Sequence, residues 1–182
     1  GSPIVFTNYN NERVIIDGTI PITSTWVQVG SSNIWRTKLT SDIWQLFLDW
    51  EEQVMARWPN AKFSDNTIWD NENYWAIGTI DDDENAYSNG TIIDDPFTNS
   101  VGTAIDLNAA GFDLDEANKQ AIAILNLGSF RTWSRLITSH TGNTFTYATV
   151  PSWKTKHHYY YLEGRYEFLD QAGEWWYDTY QN

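Results

Sequence analysis

The chain has 182 residues, enough for one domain, or one domain with a fragment of a neighbour, around a sizeable core. Its 24 acidic and 11 basic residues give a formal charge of −13, which repels phosphate backbones and anionic lipid surfaces and excludes nucleic-acid and membrane-surface partners as first expectations. No apolar run approaches the roughly 20 residues needed to span a bilayer, no signal peptide is visible, and the lack of Cys removes disulfides, thiolate nucleophiles and zinc-thiolate sites together.

The aromatic content, 11 Trp, 10 Tyr and 8 Phe, together with frequent Asn and Gly turns, points to β structure. In chain order, "PIVFTNY" and "RVIIDGTIPI" are apolar, β-branched runs separated by "NNE", where Asn tolerates left-handed backbone, and they predict two strands. "STWVQVG", "NIWRTKL" and "DIWQLFLD" follow at a spacing of about ten residues, each bounded by Gly, Ser, Asn or Asp, as in a sandwich or barrel.

The segment "QLFLDWEEQVMARWPN" is ambiguous on its own. Ile43, Leu46, Phe47, Trp50 and Val54 fall at helical spacing after a Ser41 cap, while a hairpin would place its turn at Asp49 to Glu52. From Asn60 to Asp95 the chain turns polar and predicts an irregular excursion with one short strand, Tyr74 to Ile77. "DLDEANKQ" predicts one or two helical turns capped by Asp113 or Asp115, and "AIAILNL" a buried strand. "RTWSRLITSH", "NTFTYATV", "KHHYYYLEG" and "EWWYDTY" complete a second set of strands, with "TGN" a hairpin turn and "GRYEFLDQAG" a short helix ended by Gly173. The expected fold is therefore mainly β, an antiparallel sandwich or barrel-like domain with short helices.

"QLFLDW…MARWPN", "AILNLGSFRTWSRLITSH" and "YYYLEGRYEFLDQAGEWWYD", in that order, resemble the β-rich insertion domain of secreted right-handed parallel β-helix proteins, including the glycoside hydrolases of family 141. "PIVFTNYNNERVIIDGT" is similar to the first β-helix rungs that precede this insertion. The resemblance implies β-helix-like strands over residues 1–24 and a sandwich or barrel over 25–182. It also implies a bacterial, secreted or cell-surface parent with a flanking β-helix domain, and the hairpin rather than the helix at Asp49 to Glu52. In the family that turn reads Asp-Gly, and Trp50 stands where Gly is expected. The catalytic carboxylates of such proteins are expected on rungs downstream of "GEWWYD", so this chain alone is expected not to be an enzyme.

A glycosidase needs two carboxyl groups roughly 5 to 10 Å apart. Glu174 and Asp178 would share a face if "GEWWYD" is a strand, and Asp170 lies nearby, but holding Arg57 or a turn is the more economical role. Arg57, between apolar residues, should be paired, with Asp170, Glu174 or Asp178 as candidates. His157 and His158 would face opposite sides of a strand, and His140 has no obvious partner, so catalysis through His is disfavoured. Asp81, Asp82, Asp83, Asp94 and Asp95 offer hard oxygen ligands for Ca²⁺ without the EF-hand spacing, and a solvated acidic loop explains them equally simply.

Trp and Tyr stack on the apolar faces of sugars, and most of the Trp must be core. Those in or near loops, Trp50, Trp69 and Trp75, together with Trp153, are the candidate platforms, with Asn71 and Asn73 as hydroxyl partners. Three readings follow: a non-catalytic carbohydrate-binding or accessory module, a hydrolase or lyase using a carboxylate pair, and a structural insertion. The charge favours a neutral glycan over an anionic one, unless Ca²⁺ or a basic patch such as Lys154, Lys156 and Arg165 intervenes. Isolated β-helix rungs also expose strand edges through which a homodimer can form.

Overall fold

The computed structural model describes residues 3–5, 7–15, 17–77, 91–93, 112–117, 119–128, 131–142, 144–150 and 155–178. The described residues are mainly β with antiparallel sheets and few short helices, a sandwich-like arrangement. The chain divides into two compact units, Gly1–Asp42 with Asn182, and Ile43–Gln181.

In the first unit, β1 (Val27–Gln28) and β2 (Trp35–Arg36) form an antiparallel ribbon, closed by Val29 N donating to Ile34 O at 2.9 Å. The turn at "NNE" forms: Asn10 and Asn11 take φ of 50° and 59°, and Glu12 N donates to Tyr9 O at 3.0 Å. The two strands expected around it do not form among the described residues. Their apolar residues Ile4, Val5, Val14, Ile15 and Ile20 are exposed. A rung whose composition suits a strand still needs an edge to pair with, and local sequence cannot supply one.

The second unit begins with β3 (Leu46–Leu48) and β4 (Glu51–Met55), an antiparallel hairpin pairing Leu48 with Glu51 and Leu46 with Gln53. The two loop residues, Asp49 and Trp50, have φ of 51° and 72°, positive at both positions as a type I′ turn demands. Helical periodicity thus lost to the hairpin. After Ala56, which is fully buried, the same run continues as β5 (Arg57–Trp58) in a different sheet, a strand changing sheets at a small residue.

Beyond β5 lie a 3-10 turn (Thr67–Trp69), α1 (Asn71–Tyr74), β6 (Ala76–Ile77) and β7 (Thr91–Ile93). Then come β8 (Ile122–Gly128), β9 (Arg131–Thr141), β10 (Thr144–Tyr147), β11 (Thr155–Glu163), a 3-10 turn (Tyr166–Phe168) and β12 (Glu174–Trp175). Seven strands form one antiparallel sheet in the order β5-β11-β8-β9-β10-β7, with β6 also pairing β11. A smaller sheet runs β12-β4-β3, and β12 is parallel to β4, Ala56 N donating to Trp175 O at 2.7 Å.

Alternation along β8 and β11 defines the core face. Ala121, Ala123, Leu125, Tyr160 and Leu162 are fully buried and pack with Leu114, Ile137, Phe145, Phe168 and Trp58. Phe145 and Tyr160 meet edge to face with ring centroids 5.2 Å apart. "DLDEANKQ" forms turns rather than a helix among its described residues: the Asp115 carboxylate accepts from His140 N at 2.8 Å, so it pins β9 instead of capping a helix. The helix expected in "GRYEFLDQAG" is a single 3-10 turn, and Gly173, at φ 91°, turns the chain into β12.

Candidate functional site

Two constellations stand out: a pair of exposed tryptophans on turns, and a buried guanidinium ringed by aromatic and carboxyl groups. The first is set by the turns themselves. Trp50 occupies the second position of the type I′ turn, where an L-residue without a Cβ-tolerant conformation pays about 1–2 kcal/mol, and is 58 % exposed. Trp69 ends the 3-10 turn and is 73 % exposed, backed by Phe63 at 6.0 Å between centroids. Its loop is internally hydrogen-bonded: Asn66 sits at φ 65°, Asp65 accepts from Thr67 N and Oγ1 at 3.0 and 2.7 Å, and Thr67 Oγ1 accepts from Lys62 N at 2.8 Å. Those hydrogen bonds from Thr67 hold the Asp65 carboxyl below its usual range.

Asp70 caps α1, accepting from Asn73 N at 3.1 Å and from the Asn73 side-chain amide at 3.0 and 2.9 Å. The donors of Asn73 are therefore committed to the cap, although the residue is exposed, and Asn71 is half-buried in the first turn. Trp75 departs from expectation. It is half-buried, packed edge to face on Tyr161 at 4.8 Å, with Arg57 5.8 Å from its ring centroid, so it is a wall rather than an open platform.

Arg57 is 2 % exposed. Its Nε donates to Pro59 O at 2.8 Å and its Nη2 to Tyr74 O at 3.1 Å, and its guanidinium carbon lies 3.7 Å from the Tyr161 ring centroid. The expected ion pair with Asp170, Glu174 or Asp178 does not form. Carbonyls and an aromatic face hold the cation instead, as suits a planar, weakly hydrated guanidinium. The carboxylates that act on it are Glu163, directly opposite on β11, and Glu174. Burial brings the Arg57 pKa down to about 10, and burial pushes the Tyr161 phenol up to about 12. Burial likewise raises the carboxyls of Glu163 and Glu174 above the usual carboxylate range.

Glu174 Oε2 accepts from the backbone N–H of Asp170 and Gln171 at 3.1 and 3.0 Å, so it holds the turn before β12. Asp170 in turn accepts from the Asn60 amide at 2.9 Å. Strand β12 ends at Trp175, so Asp178 does not continue it and the shared-face argument for Glu174 with Asp178 fails. Among the described residues three buried polar atoms have no hydrogen-bond partner: Glu174 Oε1, Asn60 Oδ1 and Trp75 Nε1. All three belong to residues around Arg57 or the turn beside it, and a small polar molecule or solvent is what such groups ordinarily require.

Arg165 is also corrected. It is not part of a basic surface patch but is buried, forked onto Glu167 by two bonds of 2.9 Å, and bonded to Glu116 at 2.9 Å and to Lys119 O. Burial acts to lower its pKa, and the hydrogen bonds that it donates to Glu167 and Glu116 outweigh that and raise it. His140 plays a structural part, its Nε2 bonded to Gly142 O at 3.0 Å. Trp153, Lys154, Asp81, Asp82, Asp83, Asp94 and Asp95 lie outside the described residues, and so do the side chains of Lys156, His157 and His158. Among the described residues no group of three or more His, Asp or Glu is arranged to hold a metal ion, and no helix is long and apolar enough to cross a membrane.

No protein-family model, curated protein sequence or solved structure matches the chain. Its own residues carry the functional argument. Glu163 and Tyr161 were missed by sequence reasoning; the available signal was an acid closing the apolar run "YYYLEG". Trp44, 87 % exposed just before β3, was missed because a strand-like segment does not announce which of its residues face out.

Proposed function

We propose that the chain is a non-catalytic carbohydrate-binding or accessory module of a secreted, bacterial polysaccharide-processing β-helix protein, with Trp50 and Trp69 as its sugar platforms. One observation carries the reading: two tryptophans on tight turns present their rings to solvent, while Phe145, Tyr147, Tyr160 and Phe168 are buried in the core. Trp50 does so at a backbone position that suits Gly, and strain of this kind persists where surrounding structure enforces it and function benefits. A flat indole held on a hydrogen-bonded turn covers the apolar face of a pyranose at little entropic cost.

The enzyme reading is weaker. Glu174 spends one carboxylate oxygen on two backbone N–H groups, and Asp170 accepts from Asn60, roles that position a turn rather than a substrate. The acidic surface makes a neutral glycan the favoured ligand over an anionic one.

Affinity electrophoresis against neutral and acidic polysaccharides, with and without Ca²⁺, tests the proposal, with released reducing ends measured in the same mixtures. Retardation by a neutral glycan that falls about tenfold in Trp50→Ala or Trp69→Ala, without product, is the expected result. Retardation indifferent to both substitutions, or product formation, overturns it.

A further inference from the structure

We propose that the free edge of β3 is a docking site for an extended polypeptide segment carrying Lys or Arg, added as a fourth strand to the sheet β12-β4-β3. Among the described residues, strand β3 is the end member of that sheet. Its register, with Leu48 opposite Glu51 across a two-residue turn, directs the Leu46 and Leu48 amides inward to β4. The N–H and C=O of Phe47 therefore point outward from the sheet edge.

Edges left bare in this way are usually blunted by Lys, Pro or a bulge. Here none is present in β3. The edge carries exposed Trp44, Phe47 and Leu48, the last 63 % exposed, which is the composition of a surface that gains by being covered.

Charge identifies the occupant. Between Ile43 and Ala56 the sequence has Asp49, Glu51 and Glu52 and no Lys or Arg. A second copy would bring the same three carboxylates and its own charge of −13 to a strand of three residues, too little area to overcome the repulsion. A glycan carries no cation to answer the acidic residues of this hairpin. A segment alternating apolar and cationic residues satisfies all three features: backbone pairing with Phe47, apolar cover for Trp44 and Leu48, and attraction to Asp49 at the end of β3 and to Glu51 on the adjoining β4.

The test uses the full chain and a labelled, acetylated peptide alternating lysine and valine, with a glutamate-valine peptide as control. Fluorescence anisotropy gives affinity, and amide hydrogen exchange by NMR gives the site. The lysine peptide is expected to bind at least about tenfold tighter than the control, to slow exchange of the Phe47 amide, and to lose about tenfold in affinity in Leu48→Lys. Circular dichroism checks that this exposed substitution leaves the fold intact. Binding without Phe47 protection, or unaffected by Leu48→Lys, means diffuse charge attraction and overturns the proposal, as does no binding. A concentration-dependent dimer abolished by Leu48→Lys overturns it in favour of a second copy. Trp69 lies outside this hairpin, so glycan retention through Trp69 is read separately from peptide binding at β3.

Discussion

Replacing Trp50 separates what its ring does from what its backbone costs. Trp50→Ala and Trp50→Gly remove the same indole and differ by one methyl group at a residue with φ of 72°. Ala keeps the clash of Cβ with the following carbonyl, about 1–2 kcal/mol in the left-handed region. Gly relieves it but gives the unfolded chain more freedom, at about 0.5–1 kcal/mol. The Gly variant should therefore be more stable than the Ala variant by about 1 kcal/mol, seen as a higher urea midpoint at unchanged slope, or about 2–4 °C in Tm for a chain of this size. Asn, which tolerates left-handed backbone, should fall between them. Equal stability, or Ala above Gly, would refute a type I′ turn with Trp50 at its second position. Both variants should lose glycan retention equally, because that depends on the ring alone.

Three further outcomes follow from the geometry. Arg57→Ala should cost about 2–6 kcal/mol in urea unfolding, because Pro59 O and Tyr74 O each lose a donor at about 1–3 kcal/mol, and Arg57→Lys should recover only part of it because an ammonium lacks the planar fork that reaches both; a loss under about 1 kcal/mol for Ala would show that the guanidinium is not buried as described. The carboxyls of Glu163 and Glu174 are raised by burial, so on a rising pH the unfolded chain ionises them first and the native state holds extra protons. Their contribution to stability is present below the ordinary carboxylate range and is lost as pH rises through the elevated folded values. The stability of Glu163→Gln minus that of the parent should therefore increase over this window, and a flat or falling difference in pH-resolved urea titrations would contradict the burial assigned to Glu163. Gly164→Ala should destabilise by about 1–2 kcal/mol or more, since Gly164 has φ of 86° and a Cβ there would lie 3.3 Å from two Ile122 side-chain atoms; an unchanged urea midpoint would argue against that backbone.

Most of the strands in the second unit were legible as β-branched and aromatic runs between turn residues, because a half-buried pleat selects for that alternation. The hairpin at Asp49–Trp50 was not legible from periodicity, since Ile43, Leu46, Phe47, Trp50 and Val54 satisfy a helix equally well, and the pairing of β3 with β4 decides it. The N-terminal runs failed in the opposite sense. Their composition is that of strands, but pairing is non-local and the described residues offer them no partner. The site divides along the same line. Trp50 and Trp69 could be found because polar loop residues surround them, whereas the position of Trp75 is decided by Tyr161, on a strand that closes far along the chain. Arg57 was marked as needing a partner, yet its partners are carbonyls and a ring face, groups that side-chain charge patterns do not reveal.

The two constellations are joined by one stretch of backbone. Residues 51–58 run from the strained turn, through β4, into β5 and the buried Arg57. Pairing holds this run along its length: β3 and β12 flank β4, Trp175 Nε1 donates to Gln53 O at 3.1 Å, and β11 holds β5. A turn with two residues at positive φ and an exposed indole would, on a free hairpin, relax or fray, because a two-stranded ribbon is marginal in water. Here the far end of the same run is fixed by Arg57, whose cation cannot leave its carbonyls and aromatic face without exposing a buried cluster. Disruption of the Arg57 cluster should therefore loosen the Trp50 turn as well as the core, and faster hydrogen exchange at Leu46 and Leu48, whose amides face β4, in Arg57→Lys would show it. Unchanged exchange at both amides would mean that the hairpin is held by β12 alone.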